Sequence, residues 1–227
     1  MDMNLEARSA TGLFDRHQWW KNLLDLVFPP RCEHCGRVDV GWCLTCSDEL
    51  EKTPLNLHEK SVSNIDRTIA SGEHDGILRD AIHALKYNQQ RNLALQLGHR
   101  LNNTLETLQL HIDGLIAVPS HTNRLAKRGY NQSIELCSVV SHLSGIFFNP
   151  QALTRVRDTR SQVGLTQAER LVNVEDAFRP TTPFTGQSLL LIDDVCTTGA
   201  TLGACARSLK EAGATTVYAL TLAAAIH

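Results

Sequence analysis

Four large aliphatic residues, Leu189 to Ile192, run directly into two adjacent aspartates, Asp193 and Asp194, and then into Val195-Cys196-Thr197-Thr198-Gly199-Ala200-Thr201. No other segment constrains the fold as tightly. A short, uncharged aliphatic run is a strand buried on both faces, and a parallel sheet with helices on either side provides that burial. From Leu202 to Ala212 the pattern turns helical, which puts both carboxylates at the carboxyl tip of a strand, before a Thr/Gly turn and a helix start. Ligands of open α/β sheets bind at that end of the strands. Backbone N–H groups of the turn, threonine hydroxyls and the helix dipole together suit a phosphate, and Gly199 lets an anion approach the backbone. Two carboxylates are wrong for the phosphate itself but right for the two hydroxyls of an attached ribose. The ligand implied is a ribose 5-phosphate, with Asp193, Asp194, Thr197, Thr198, Gly199, Ala200 and Thr201 as its binding residues. An ordinary strand-to-helix turn with a threonine cap would explain a lone Asp-x-x-Thr pattern. The conjunction of aliphatic run, aspartate pair and Thr-Thr-Gly-Ala-Thr favours the site.

The runs Leu115-Ile116-Ala117-Val118 and Val217-Tyr218-Ala219-Leu220 are of the same kind, and helical patterns separate them. Asp75 to Tyr87 and Arg91 to Leu108 read as amphipathic helices, with Ile77, Leu78, Ile82 and Leu85 on one face of the first. The predicted fold class is therefore α/β, a parallel sheet covered on both faces, over residues 66–227. A chain of 227 residues with 42% hydrophobic and 20% charged side chains has room for one such domain and a small accessory module.

That module is predicted over residues 31–52. Cys32-x2-Cys35 and Cys43-x2-Cys46 are two like pairs in a stretch, 31–47, that is poor in large aliphatics. Each pair presents two thiolates from one tight turn, and two facing turns make the tetrahedral sulfur cage that Zn²⁺ favours. Four thiolates close the coordination sphere, so the zinc is expected to be structural. A redox dithiol or a pair of disulfides is the alternative, disfavoured in a reducing compartment. His34, between two ligands, is expected to be a solvated loop residue. Cys137, Cys196 and Cys205 have apolar neighbours and no visible base, which predicts buried, inert thiols.

Residues 13–28 carry apolar side chains at 20, 23, 24 and 27, and Pro29-Pro30 stops the pattern. An amphipathic helix within residues 1–30 is predicted, packed on its own protein rather than on a membrane surface. No stretch reaches the roughly 20 apolar residues of a membrane span, and the acidic amino terminus is unlike a signal peptide. The odd count of 7 cysteines argues for reduced thiols, and the predicted location is cytoplasmic.

The segment around Asp193 and Asp194 resembles the signature of the type I phosphoribosyltransferase fold. That likeness implies phosphoribosyl pyrophosphate (PRPP) as ligand, bound with Mg²⁺. A narrower resemblance is to the ComF/GntX family. It rests on Ala117-Val118-Pro119-Ser120 leading through Arg124 and Lys127 to Arg128-Gly129-Tyr130-Asn131-Gln132, on His83-Ala84-Leu85-Lys86-Tyr87, and on the four-cysteine module behind an apolar helix and Pro-Pro. Arg155-x-Arg157-x-Thr159-x2-Gln162, continuing to Glu169-Arg170-x2-Asn173, adds to it. It covers roughly residues 20–225; Cys196 and Ser120-His121 depart from the usual pattern. The family implies a part in bacterial DNA uptake or in the use of external DNA as a nutrient.

Between residues 121 and 170, seven basic residues (124, 127, 128, 155, 157, 160 and 170) face three acidic ones (135, 158 and 169), a local charge of +4 in a chain of net charge -2. A leaving diphosphate must be neutralised as the anomeric bond breaks, and cationic clamps provide this. Arg124, Lys127, Arg128 and Arg157 are the candidate catalytic residues, the first three expected in a pyrophosphate loop. The same cations could follow the backbone of single-stranded DNA, with Tyr130 stacking on a base. Three functions stay open on sequence: a PRPP-binding ComF/GntX-type protein with DNA-uptake machinery as partner, a nucleobase phosphoribosyltransferase of salvage, and a noncatalytic PRPP sensor or single-strand binder.

Overall fold

The computed structural model describes residues 29–87, 90–157 and 176–225. The helix expected before Pro29 and the stretch from Thr159 to Asn173 lie outside the described residues. Helix α1 (Leu44–Lys52) follows the cysteine loops, and strands β1 (His58–Glu59) and β2 (Arg67–Ala70) lead to helices α2 (Gly76–Tyr87) and α3 (Leu93–Leu108). Then come β3 (Gly114–Ala117), α4 (Thr122–Arg128), α5 (Gln132–Ser144), the short strands β4 (Leu153–Arg155) and β5 (Phe178–Pro180), β6 (Ser188–Cys196), α6 (Ala200–Glu211) and β7 (Thr216–Ala224).

Five strands form one sheet in the order β1-β2-β7-β6-β3. The pairs β2–β7, β7–β6 and β6–β3 are parallel, and only the two-residue edge strand β1 is antiparallel. Strands β4 and β5 pair separately, antiparallel. Strand alternation explains the layers: successive side chains point to opposite faces. Leu190, Ile192, Leu220 and Leu222 join the core made with α2, α3 and α5, whereas Leu189, Leu191, Val217 and Ala219 join the core made with α6 and the β4–β5 pair. Helices on both faces are what an all-aliphatic strand requires, and the parallel sheet expected from the sequence is present.

Helix α2 buries Ile77, Leu78, Ala81, Ile82, Ala84 and Leu85, a 3-4 spacing that turns one side wholly to the sheet. Its predicted bounds were one residue longer at the start. Strands β1 and β2 were not anticipated, because four residues of β2 and two of β1 are too short for any periodicity to register. The buried Arg100 fixes the chain leading into them: its guanidinium donates to the carbonyls of Thr53, Pro54 and Ser71, each at 2.8 Å. No described helix is long and apolar enough to cross a membrane.

Candidate functional site

The carboxyl ends of the parallel strands converge. Strand β6 runs past the aliphatic stretch, so Asp193 and Asp194 lie within it and not after it. Asp194 is buried. Its Oδ1 meets the Lys86 ammonium at 2.6 Å, and its Oδ2 accepts from Gln132 Nε2 at 2.9 Å. Asp193 Oδ1 accepts from Ser133 Oγ and from the Asp194 backbone N–H, both at 2.9 Å. The two aspartates are thus wired to the last turn of α2 and the first turn of α5.

Their electrostatics diverge. Burial opposes ionisation of Asp194, but the Lys86 charge and the hydrogen bonds from Lys86 and Gln132 outweigh it and hold the carboxyl below its ordinary range. Burial and then the neighbouring Asp194 charge push Asp193 up to about 7. A folded carboxyl that keeps its proton to about pH 7 while the unfolded one releases it near 3.8 contributes stability below pH 4 that is lost as the pH rises through 7. The melting temperature of the parent minus that of Asp193→Asn should therefore fall across that window; a difference that stays level from pH 4 to 7 would contradict this assignment. His74, on the loop after β2, is held below its usual range by burial and then by the charge of Lys86.

The turn after β6 has the form expected. Gly199 caps α6 with φ 77, a left-handed conformation, and a Cβ there would stand 2.5 Å from Val62 Cγ2. Thr198 Oγ1 accepts from Ala200 N at 3.4 Å, and Lys60 Nζ donates to the Thr197 carbonyl. Among the described residues, no hydrogen bond takes the N–H of Thr198 or Gly199. Two backbone donors at the start of a 12-residue helix, with the hydroxyls of Thr197, Thr198 and Thr201 alongside, form a cradle of anion-binding type.

Arg124, Lys127 and Arg128 lie on α4, a helix and not the loop expected for them. His121 caps it, accepting from Asn123 N, and Gly129 ends it with φ 76. The Arg128 guanidinium lies over the Tyr87 ring at 4.7 Å, near enough to Asp194 for its charge to help lower that carboxyl. Tyr130 is buried, with its hydroxyl on the Leu85 carbonyl and Arg91 over its ring at 4.8 Å. It is not free to stack on a base. Asn131 caps α5 and donates to the Val118 carbonyl at 3.1 Å. Arg-Gly-Tyr-Asn-Gln is thus a joint between β3, α2 and the aspartates. Arg155 lies on β4 with its guanidinium 5.3 Å from the Phe178 ring, and its Nε donates to the carbonyl of Arg157 at 3.4 Å.

Lys86, Gln132 and Ser133 were not singled out from sequence as binding residues. The available sign for Lys86 was its place one turn after Ile82, on the buried face of α2.

The four cysteines Cys32, Cys35, Cys43 and Cys46 come together, their sulfurs all within 4.8 Å of one another. Pairs measure 3.7, 3.6 and 3.4 Å, close to the roughly 3.8 Å edge of a tetrahedron with metal–sulfur bonds of about 2.3 Å. The cluster is a cage that can hold a metal ion. Burial opposes the Cys32 thiolate, but hydrogen bonds with the backbone of Cys35, Cys43 and His34 outweigh it and draw the thiol down to about 6. His34 is not the solvated residue expected: its Nδ1 meets Asp80 Oδ2 on α2 at 2.9 Å. Glu33 likewise pairs with His83 at 2.6 Å. Cys137, Cys196 and Cys205 are buried, and burial raises all three thiols.

The phosphoribosyl transferase domain family matches residues 138–227. The DNA utilization protein YhgH of Salmonella typhimurium is 31% identical over 192 residues, 82% of this chain and 80% of its own length. The chain belongs to the ComF/GntX family. Another relative, the DNA utilization protein YhgH of Escherichia coli K12, is 30% identical over 82% of this chain and 80% of its own. Competence protein F of Haemophilus influenzae is 29% identical over 81% and 80%. In this ComF/GntX chain the His-Ala-Leu-Lys-Tyr segment supplies Lys86, and the Arg-Gly-Tyr-Asn-Gln segment supplies Gln132. The domain is of the type I phosphoribosyltransferase fold, with a mostly parallel sheet and the aspartate pair at its carboxyl edge.

Proposed function

We propose that this protein binds PRPP at the carboxyl edge of the sheet and acts in the cytoplasm of bacteria in the uptake or use of external DNA. One observation carries the reading: the Asp193–Asp194 pair lies in the last residues of a buried strand, ahead of a glycine-capped helix with open backbone donors. The aspartates take the ribose hydroxyls, and Thr197, Thr198, Gly199, Ala200 and Thr201 take the 5-phosphate. Arg128, stacked on Tyr87 beside Asp194, faces the diphosphate, with Arg124, Lys127 and Arg157 as further cationic partners. The metal of the four-thiolate cage is structural zinc, since a closed sulfur set leaves no position for water. The DNA role comes from relatives named for DNA utilization and competence.

Calorimetry with PRPP and with a single-stranded oligonucleotide tests this. PRPP should bind, and Arg128→Ala should weaken it about tenfold, the loss of one charge-assisted contact. If the +4 rim also holds a strand, affinity for it should fall with a log-log salt slope of about -0.7 per phosphate neutralised, and PRPP should compete with it. No heat with PRPP at millimolar concentration would end the proposal. Pyrophosphate release on adding a panel of bases would mark a salvage enzyme.

A further inference from the structure

A divalent cation such as Mg²⁺ asks for near-octahedral oxygens at about 2.0–2.1 Å. Among the described residues the aspartate pair leaves one carboxylate oxygen without a partner, Asp193 Oδ2, far short of that set. Asp194 Oδ1 holds an ammonium, Asp194 Oδ2 accepts from an amide, and Asp193 Oδ1 accepts from a hydroxyl and a backbone N–H. The residues present therefore do not fit a divalent ion bound directly to these carboxylates.

We propose that the Lys86 ammonium is the resident cation of the aspartate pair, excluding a divalent ion from the carboxylates and taking over its charge toward the ligand. The part of this that concerns PRPP rests on the function proposed above. Three observations fix the ammonium in place. Both side chains of the pair are largely buried, 19% and 8% exposed, so water does not screen the contact. The apolar face of α2 is packed on the sheet, and Tyr130 bonds the Leu85 carbonyl one residue before Lys86. Arg128 stacks on Tyr87, one residue after it. An ammonium carries three donors, and Asp194 takes one. The remaining two can reach oxygens of a ribose or diphosphate lying on the pair. A second cation at the same carboxylates would face Lys86, and beyond it Arg128, with like charge.

Mn²⁺ titration of the zinc-loaded full chain, followed by electron paramagnetic resonance, reads the exclusion without PRPP. The parent and Lys86→Arg should show no Mn²⁺ site at the pair. Lys86→Met should gain one, tighter by about tenfold or more, because carboxylate charge left uncompensated favours a hard cation. That site should vanish in Lys86→Met with Asp194→Asn. In divalent-free buffer Lys86→Met should bind PRPP about tenfold more weakly than the parent, and Mg²⁺ should restore it. A Mn²⁺ site in the parent that Asp194→Asn removes would overturn the proposal, and this arm needs no folded Lys86 variant. So would equal Mg²⁺ dependence of PRPP binding in parent and Lys86→Met. If the parent bound no PRPP in any buffer, the PRPP reading would fail, and the Mn²⁺ arm would still decide the role of Lys86.

Discussion

Asp194→Ala should lower the stability of the fold by about 3 kcal/mol and weaken PRPP binding by about 100-fold. The first figure follows from the partner left behind. Removing one side of a buried ion pair strands the other charge, which typically costs about 3–5 kcal/mol. The low end applies because the Lys86 side chain keeps 19% exposure and can lean toward water. The second figure corresponds to losing one or two charge-assisted hydrogen bonds to ribose hydroxyls, at about 1.5–3 kcal/mol each. A double-mutant cycle separates pairing from other damage. Asp194→Ala and Lys86→Met together should cost less than the sum of the two by about 2 kcal/mol, since neither charge is then stranded. Urea unfolding of the four proteins checks this. Additivity of the two substitutions would mean that the pair contributes no coupling, and a single Asp194→Ala that costs under about 1 kcal/mol would refute the stranded-charge argument.

The aspartates show how far a sequence can be read. Leu189–Ile192 is legible because a continuous aliphatic run has one favourable fate, and the Thr-Thr-Gly-Ala-Thr turn because only a few backbone shapes put glycine at a helix start. What holds the aspartates was not legible. Lys86 stands 108 positions before Asp194 and Gln132 stands 62 before it, separations at which no local pattern operates. Only the pairing of β6 with β3 and β7, and the layering of α2 and α5 on one face, bring them together. Arg128 illustrates the converse. Its charge marked it for a pyrophosphate loop, and Tyr130 beside it suggested an aromatic ring able to stack on a base. Leu125, Ala126 and Lys127 instead propagate a helix that Gly129 ends, and the tyrosine ring finds the core between α2 and α5. Burial wins over exposure for that ring, since a large apolar side chain gains about 1.5–3 kcal/mol on leaving water.

Removing the zinc proposed for the thiol cage should melt the cysteine module and loosen the domain beneath it. Residues 31–47 contribute Cys32, Cys43 and Cys46 to the same core cluster as α2 and α3, and Leu50 of α1 joins them. The sequence reads residues 31–52 as a small accessory module beside the domain over 66–227. The shared core, the Glu33–His83 and His34–Asp80 pairs and the Gln96 bond to the Ser47 carbonyl tie that module to α2 and α3. Structural zinc supplies about 10–16 kcal/mol in small metal-folded peptides, more than a module without its own aliphatic core can replace. Treatment with a strong chelator, or the Cys46→Ser substitution, should therefore open residues 31–52 to proteolysis and lower the melting temperature of the whole chain. Hydrogen exchange should rise along α1 and the exposed side of α2, while β6 and β7, whose strands are buried on both faces, keep their protection. Protein that carries no stoichiometric metal and resists protease equally with and without chelator would show that the thiol cluster folds by packing alone.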